Sequence, residues 1–109
     1  MIDMPIDAKM IKKNAINLLK ELYDITKGDE WDPQDLTKFM DNSNLELKQN
    51  LKDNTQLMDN VLQSLLAEGF IEFNPITKHQ ISITYEGKKY LDRVPHFETK
   101  ITDEGKEYQ

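Results

Sequence analysis

The chain has no cysteine. That excludes a disulfide framework, a thiol nucleophile and a thiolate metal site, and it suits a reducing compartment such as the cytoplasm. Its four glycines stand apart at positions 28, 69, 87 and 105, so no glycine-rich loop is available to cradle a phosphate. No apolar run approaches the roughly 18 residues that a membrane span needs. The opening residues MIDMPIDAKM hold two aspartates and no apolar segment of signal-peptide length, so neither a secretory signal nor a membrane partner is expected. Positive charge is also short. Fourteen Lys and Arg face twenty Asp and Glu, a net charge of -6, which opposes general attraction to phosphate or anionic lipid. The two histidines, His79 and His96, match no local metal spacing. Ser43, Ser64 and Ser82 have no nucleophile context. With nucleophile, base and stabiliser all missing, no enzyme, metal or cofactor is expected.

What is present is helical periodicity on a chain of 109 residues, the size of one domain over 1–109. From Asp7 to Lys27, Ile11, Ala15, Leu18, Leu19, Leu22 and Ile25 recur at helical spacing, and Gly28 is placed to stop the helix in a left-handed conformation. In GDEWDPQDLTKFM, Asp32 reads as an N-cap with Pro33 at the first helical position. Trp31 and Leu36 then fall at the spacing of a hydrophobic staple, predicting a helix from Pro33 to about Asp41 with Trp31 as its anchor. The stretch from 42 to 52 admits either a third short helix or a structured loop, because Leu45, Leu47 and Leu51 want burial while the surrounding Asn and Asp favour turns. From Asp53 to Glu68 the period returns, capped by Asp53 or Asn54. Met58, Val61, Leu62, Leu65 and Leu66 form its buried stripe and Gly69 its stop. FIEF, NPITK and HQISIT then read as strand, turn and strand, and Thr84 caps a last helix with Tyr90 and Leu91 pointing inward.

One phrase occurs twice: ITYEGKKYL at 83–91 and ITDEGKEYQ at 101–109. Each reads as a strand-to-helix junction, with Thr as the cap, Glu complementing the helix dipole and Gly allowing close backbone packing. Two copies are fewer than a repeat architecture requires. Similar local solutions to one capping problem explain them most simply; an extension of the sheet or a dimer contact is the functional alternative.

This order of elements resembles the winged helix-turn-helix fold. VLQSLLAEGFIEF is similar to the end of a winged-helix recognition helix running into the first wing strand. ISITYEGKKYL is similar to the exit from the second wing strand, and Trp31 would stand where the family's short first strand crosses to the hairpin. The expected class is therefore α+β and mainly helical: a winged helix-turn-helix with a two-stranded wing hairpin and a C-terminal helical segment. The resemblance covers about 8–92, with 93–109 as a C-terminal extension. The stretch from Asp41 to Asp53 is longer than the tight turn of a minimal helix-turn-helix.

The resemblance implies a small DNA-binding protein, a transcriptional regulator on double-stranded DNA, for which a homodimer would supply two half-sites. Thr55, Gln56, Asp59, Asn60 and Gln63 would form the presented helix face, where Gln and Asn are able to read adenine. Thr55, Gln56, Asn60, Gln63, Lys52, Lys78 and His79 are the expected nucleic-acid-binding residues. Charge argues the other way: between Asp53 and Glu68 there is no Lys or Arg, and phosphate neutralisation dominates most DNA affinity. Residues 70–93 hold four basic and three acidic side chains, which is no basic stripe. The alternative is a winged-helix protein–protein interaction module that does not bind DNA.

Overall fold

The computed structural model describes residues 7–77 and 79–93. In chain order it contains α1 (Ala8–Thr26), β1 (Gln34–Asp35), α2 (Leu36–Asp41), α3 (Leu45–Leu51), α4 (Thr55–Ala67), β2 (Ile71–Phe73) and β3 (Gln80–Ile83), followed by α5 over 85–93. The protein is α+β and mainly helical, with a small antiparallel sheet of three strands in the order β1-β3-β2. The hairpin of the sequence reading is therefore joined by a third strand. The second copy of the repeated phrase, with His96 and the rest of 94–109, lies outside the described residues.

α1 forms where its period and cap place it. Asp7 Oδ1 accepts from the Met10 amide at 2.9 Å, and Ala15, Leu18, Leu19 and Leu22 turn into the core. Burying one such Leu completely is worth about 1.5–3 kcal/mol. Two details differ from expectation. Ile25 is exposed, and Thr26 takes the buried place with its hydroxyl donating to the Leu22 carbonyl at 2.8 Å. The first left-handed residue is Lys27, with φ 58°, and Gly28 is the second.

The 42–52 stretch resolves as helix α3, and its turn-favouring residues explain why. Asn44 caps the helix, its Oδ1 accepting from the Leu47 amide at 2.8 Å, while its Nδ2 donates to Asn17 Oδ1 at 3.0 Å and Glu21 Oε1 at 3.1 Å on α1. Asn50 Nδ2 donates to Asn14 Oδ1 at 3.0 Å, and buried Asn14 in turn donates to the Met10 carbonyl. These amides clamp α3 onto α1 over Leu47 and Leu51, both fully buried. A side chain that bonds across helices no longer competes for its own backbone.

The start of α2 corrects the sequence reading. Gln34 pairs with Ile81 and Asp35 with Gln80, and the Leu36 amide donates to the His79 carbonyl at 2.7 Å. Holding residues 34 and 35 in the ladder keeps them extended, so the helix opens only at Leu36. Its N-cap is Asp35, whose Oδ2 accepts from the Lys38 amide at 3.0 Å. Asp32, the expected cap, accepts instead from Gln34 Nε2 at 3.1 Å. No staple forms: Trp31 is 89% exposed. The strand crossing to the hairpin is Gln34–Asp35, not Trp31.

The phrases VLQSLLAEGFIEF and ISITYEGKKYL interlock. Past the end of α4 at Ala67, Gly69 takes φ 78°, with its amide donating to the Leu66 carbonyl and the Phe70 amide to the Leu65 carbonyl, a left-handed stop that glycine tolerates best. Thr84 then joins three elements. Its amide donates to the Phe70 carbonyl, its hydroxyl donates to the Gly69 carbonyl, and the same oxygen accepts from the Gly87 amide at 3.0 Å, which caps α5. A Cβ at Gly87 would collide with the Phe70 carbonyl. Tyr90, one turn on, stacks on Phe70 with centroids 4.4 Å apart, and Leu91 is buried. The first copy of the phrase thus locks α4, the sheet and α5 together.

Candidate nucleic-acid interface

α4 begins at Thr55 because Asn54 Oδ1 accepts from the Leu57 amide at 3.0 Å. Leu57, Val61, Leu62 and Leu65 are its buried residues, whereas Met58 and Leu66, expected in the stripe, are half-buried. The stripe is rotated toward Leu57, since the helix packs against α1 and α3 and leads into β2. The remaining arc leaves Thr55, Gln56, Asp59 and Gln63 exposed and Asn60 half-buried.

Four predicted site residues therefore share one helix, but not one environment. Thr55 and Gln56 stand at its first turn. Asn60 and Gln63 also line a cleft of about 780 Å³ whose other side is α1, with Ile11, Lys12 and Ile16, and whose lining includes the stacked Phe70 and Tyr90. The α1 side of this cleft was not anticipated. Ile16, placed off the expected apolar stripe, is buried, and a wider apolar arc on α1 is the signal that would have found it.

Of the basic residues, Lys52 is exposed and its Nζ lies 3.4 Å from Asp41 Oδ1. Lys48 Nζ donates to the Asp41 carbonyl at 3.1 Å. Both lysines ahead of α4 thus converge on the C-terminal end of α2. Lys78 lies outside the described residues. His79 is exposed beside the turn, its carbonyl held by Leu36. That turn is built by Asn74, whose Oδ1 accepts from the amides of Ile76 and Thr77 and whose amide donates to the Gln80 carbonyl. It presents Ile76, 88% exposed.

Beyond the sheet, Lys88 is committed elsewhere. Its Nζ lies 2.8 Å from Glu30 Oε2, and that bond raises the ammonium above the usual lysine range near 10.5, with burial opposing and the charge of Glu30 assisting. Lys89 Nζ sits 5.3 Å from the Tyr85 ring centroid. On α4 itself, the helix dipole at Thr55 is the only positive end the helix offers, and Asp53 and Asp59 flank it, both exposed.

Among the described residues, no group of three or more His, Asp or Glu is placed to hold a metal ion, and no helix is long and apolar enough to cross a membrane. No family model, curated protein or solved structure matches the chain.

Proposed function

We propose that the protein is a winged-helix DNA-binding regulator that presents the outer face of α4 to the major groove. The observation that carries this reading is the arrangement of α4. A capped helix of 13 residues, fixed to α1 and α3, turns Thr55, Gln56 and Gln63 outward and leads through Gly69 into a hairpin. The β1-β3-β2 sheet, with a short strand before α2, supports the same assignment. α3 is then an insertion between the two helices of the motif. Gln56 and Asn60 are the base-reading candidates, since a carboxamide can bond adenine on two edges. Lys52, Lys78 and His79 are the phosphate-contacting candidates.

A second reading is a winged-helix module that binds protein rather than DNA. The engagement of Lys48 and Lys52 with Asp41 favours it, because a cation that leaves an ion pair to reach phosphate gains less than a free one. The pair is exposed, so its own worth is small, about 0–1 kcal/mol.

Amide chemical-shift mapping against a random-sequence duplex, at low and then raised salt, separates the two. Salt-sensitive shifts at Thr55, Gln56, Gln63 and His79 are the expected result. Gln56→Ala should then blur sequence preference by about 1–3 kcal/mol at one base position. Shifts absent from α4 and the turn at every salt concentration would transfer the α4 face to the protein-binding reading.

A further inference from the structure

The loop between α1 and β1 holds an anomaly that the α4 face does not use. Trp31, the single tryptophan of the chain, is 89% exposed, although an indole is among the costliest side chains to leave in water. The loop around it is firmly held. The Gly28 amide donates to the Tyr23 carbonyl, Asp29 to the Thr26 carbonyl and Trp31 to Asp29 Oδ1 at 2.9 Å. Glu30 is tied to Lys88 on α5, and Gln34 Nε2 binds Asp32. A tryptophan presented by an ordered loop loses little freedom on binding, which is how interface anchors gain affinity.

Charge identifies the occupant. Residues 21–35 contain six acidic side chains and one basic one, Lys27. Lys88, bonded to this loop from α5, is neutralised by Glu30. Asp24 and Asp29 are exposed and Asp32 half-buried. Tyr85, 58% exposed, lies one turn before Lys88 on α5 and carries Lys89 over its ring. Phosphate is repelled here, whereas an Arg or Lys side chain meets carboxylates beside an indole face, the best aromatic partner for a cation. The register places the loop at the end of the sheet opposite the 75–77 turn, because β1 runs from it toward His79.

We propose that the 29–35 loop is a docking surface for a basic segment of a partner protein, with Trp31 as the anchor and Asp29 and Asp32 selecting positive charge. The surface is separate from the α4 face and stands whether or not α4 binds DNA.

Trp31 is also the reporter for its own test. The full chain is titrated at low salt with a short peptide of alternating arginine and leucine, and in parallel with its glutamate–leucine counterpart, following tryptophan emission and amide shifts. The expected result is a saturable change with the arginine peptide alone, weakened by salt, with shifts at Asp29, Asp32 and the Trp31 indole. Trp31→Ala, followed by amide shifts, should weaken binding roughly tenfold or more; its melting temperature should stay unchanged, since the side chain is 89% exposed. Asp29→Asn with Asp32→Asn should weaken binding severalfold. Three outcomes overturn the proposal: no saturable binding, equal binding by Trp31→Ala, or shifts confined to α4. Emission of a shielded indole in the free protein, or a shift with protein concentration alone, overturns it as well and assigns the surface to the chain itself or to a second copy.

Discussion

Asn54 and Asp35 do the same work at two helix starts, yet their surroundings have nothing in common. Asn54 sits in the short connection between α3 and α4, where its amide donates to the Leu51 carbonyl and its side chain caps α4 at Thr55. Asp35 sits in a strand, and its neighbour Leu36 is held by His79, forty-three residues away. The two regions also differ in charge and exposure. α4 presents a polar face with few charges, while the loop ahead of β1 gathers carboxylates around a bare tryptophan. A cap signal is decisive where nothing competes with it. Where a ladder bond is on offer, the backbone takes the ladder and the next suitable side chain becomes the cap.

The largest test asks whether the two regions are one cooperative unit. Leu18 is fully buried on α1, which packs against α4, α3 and β3. Leu18→Ala should cost about 2–5 kcal/mol, and amide exchange should speed up equally in α4 and in β1. Faster exchange in only one of them would show that the halves open separately.

A smaller effect separates the competing caps. Asp35→Ala removes the acceptor of the Lys38 amide and should cost about 1 kcal/mol of denaturant stability. Asp32→Ala should cost less than about 0.5 kcal/mol. The reverse order would restore the helix start at Pro33 and undo the contrast drawn with Asn54.

The smallest effect concerns the Glu30–Lys88 bond that ties the tryptophan loop to α5. Its lysine is raised in the folded protein, so its stabilisation is complete below the unfolded lysine value near 10.5 and is lost as pH climbs through the higher folded value. A pH titration of stability should therefore show a shallow extra decline above pH 10.5, absent in Lys88→Met. Across the neutral range the contribution of this group should be constant.

Much of the architecture was legible in residue order. The periods of α1 and α4, the hairpin around NPITK and the Thr84 cap are local signals, and each lies where its residues put it. The candidate face on α4 followed from the same period, though Asn60 and Gln63 also turned out to border the cleft against α1. Less could be read where a residue had two uses. Asn44 and Asn50 favour turns in isolation, and their bonds to Asn17, Glu21 and Asn14 on a distant helix converted them into clamps.

By itself, then, the sequence determined α1, α4, the helix after Thr84, the hairpin and the absence of thiol or glycine-loop chemistry, because these depend on neighbours within a few residues. Only the tertiary structure decided that 34–35 is a strand, that α2 starts at Leu36, that Lys52 and Lys88 are paired, and that Trp31 faces water. Each of those outcomes depends on a partner tens of residues or an ion pair away, and no local pattern encodes which of two satisfied arrangements has the lower free energy.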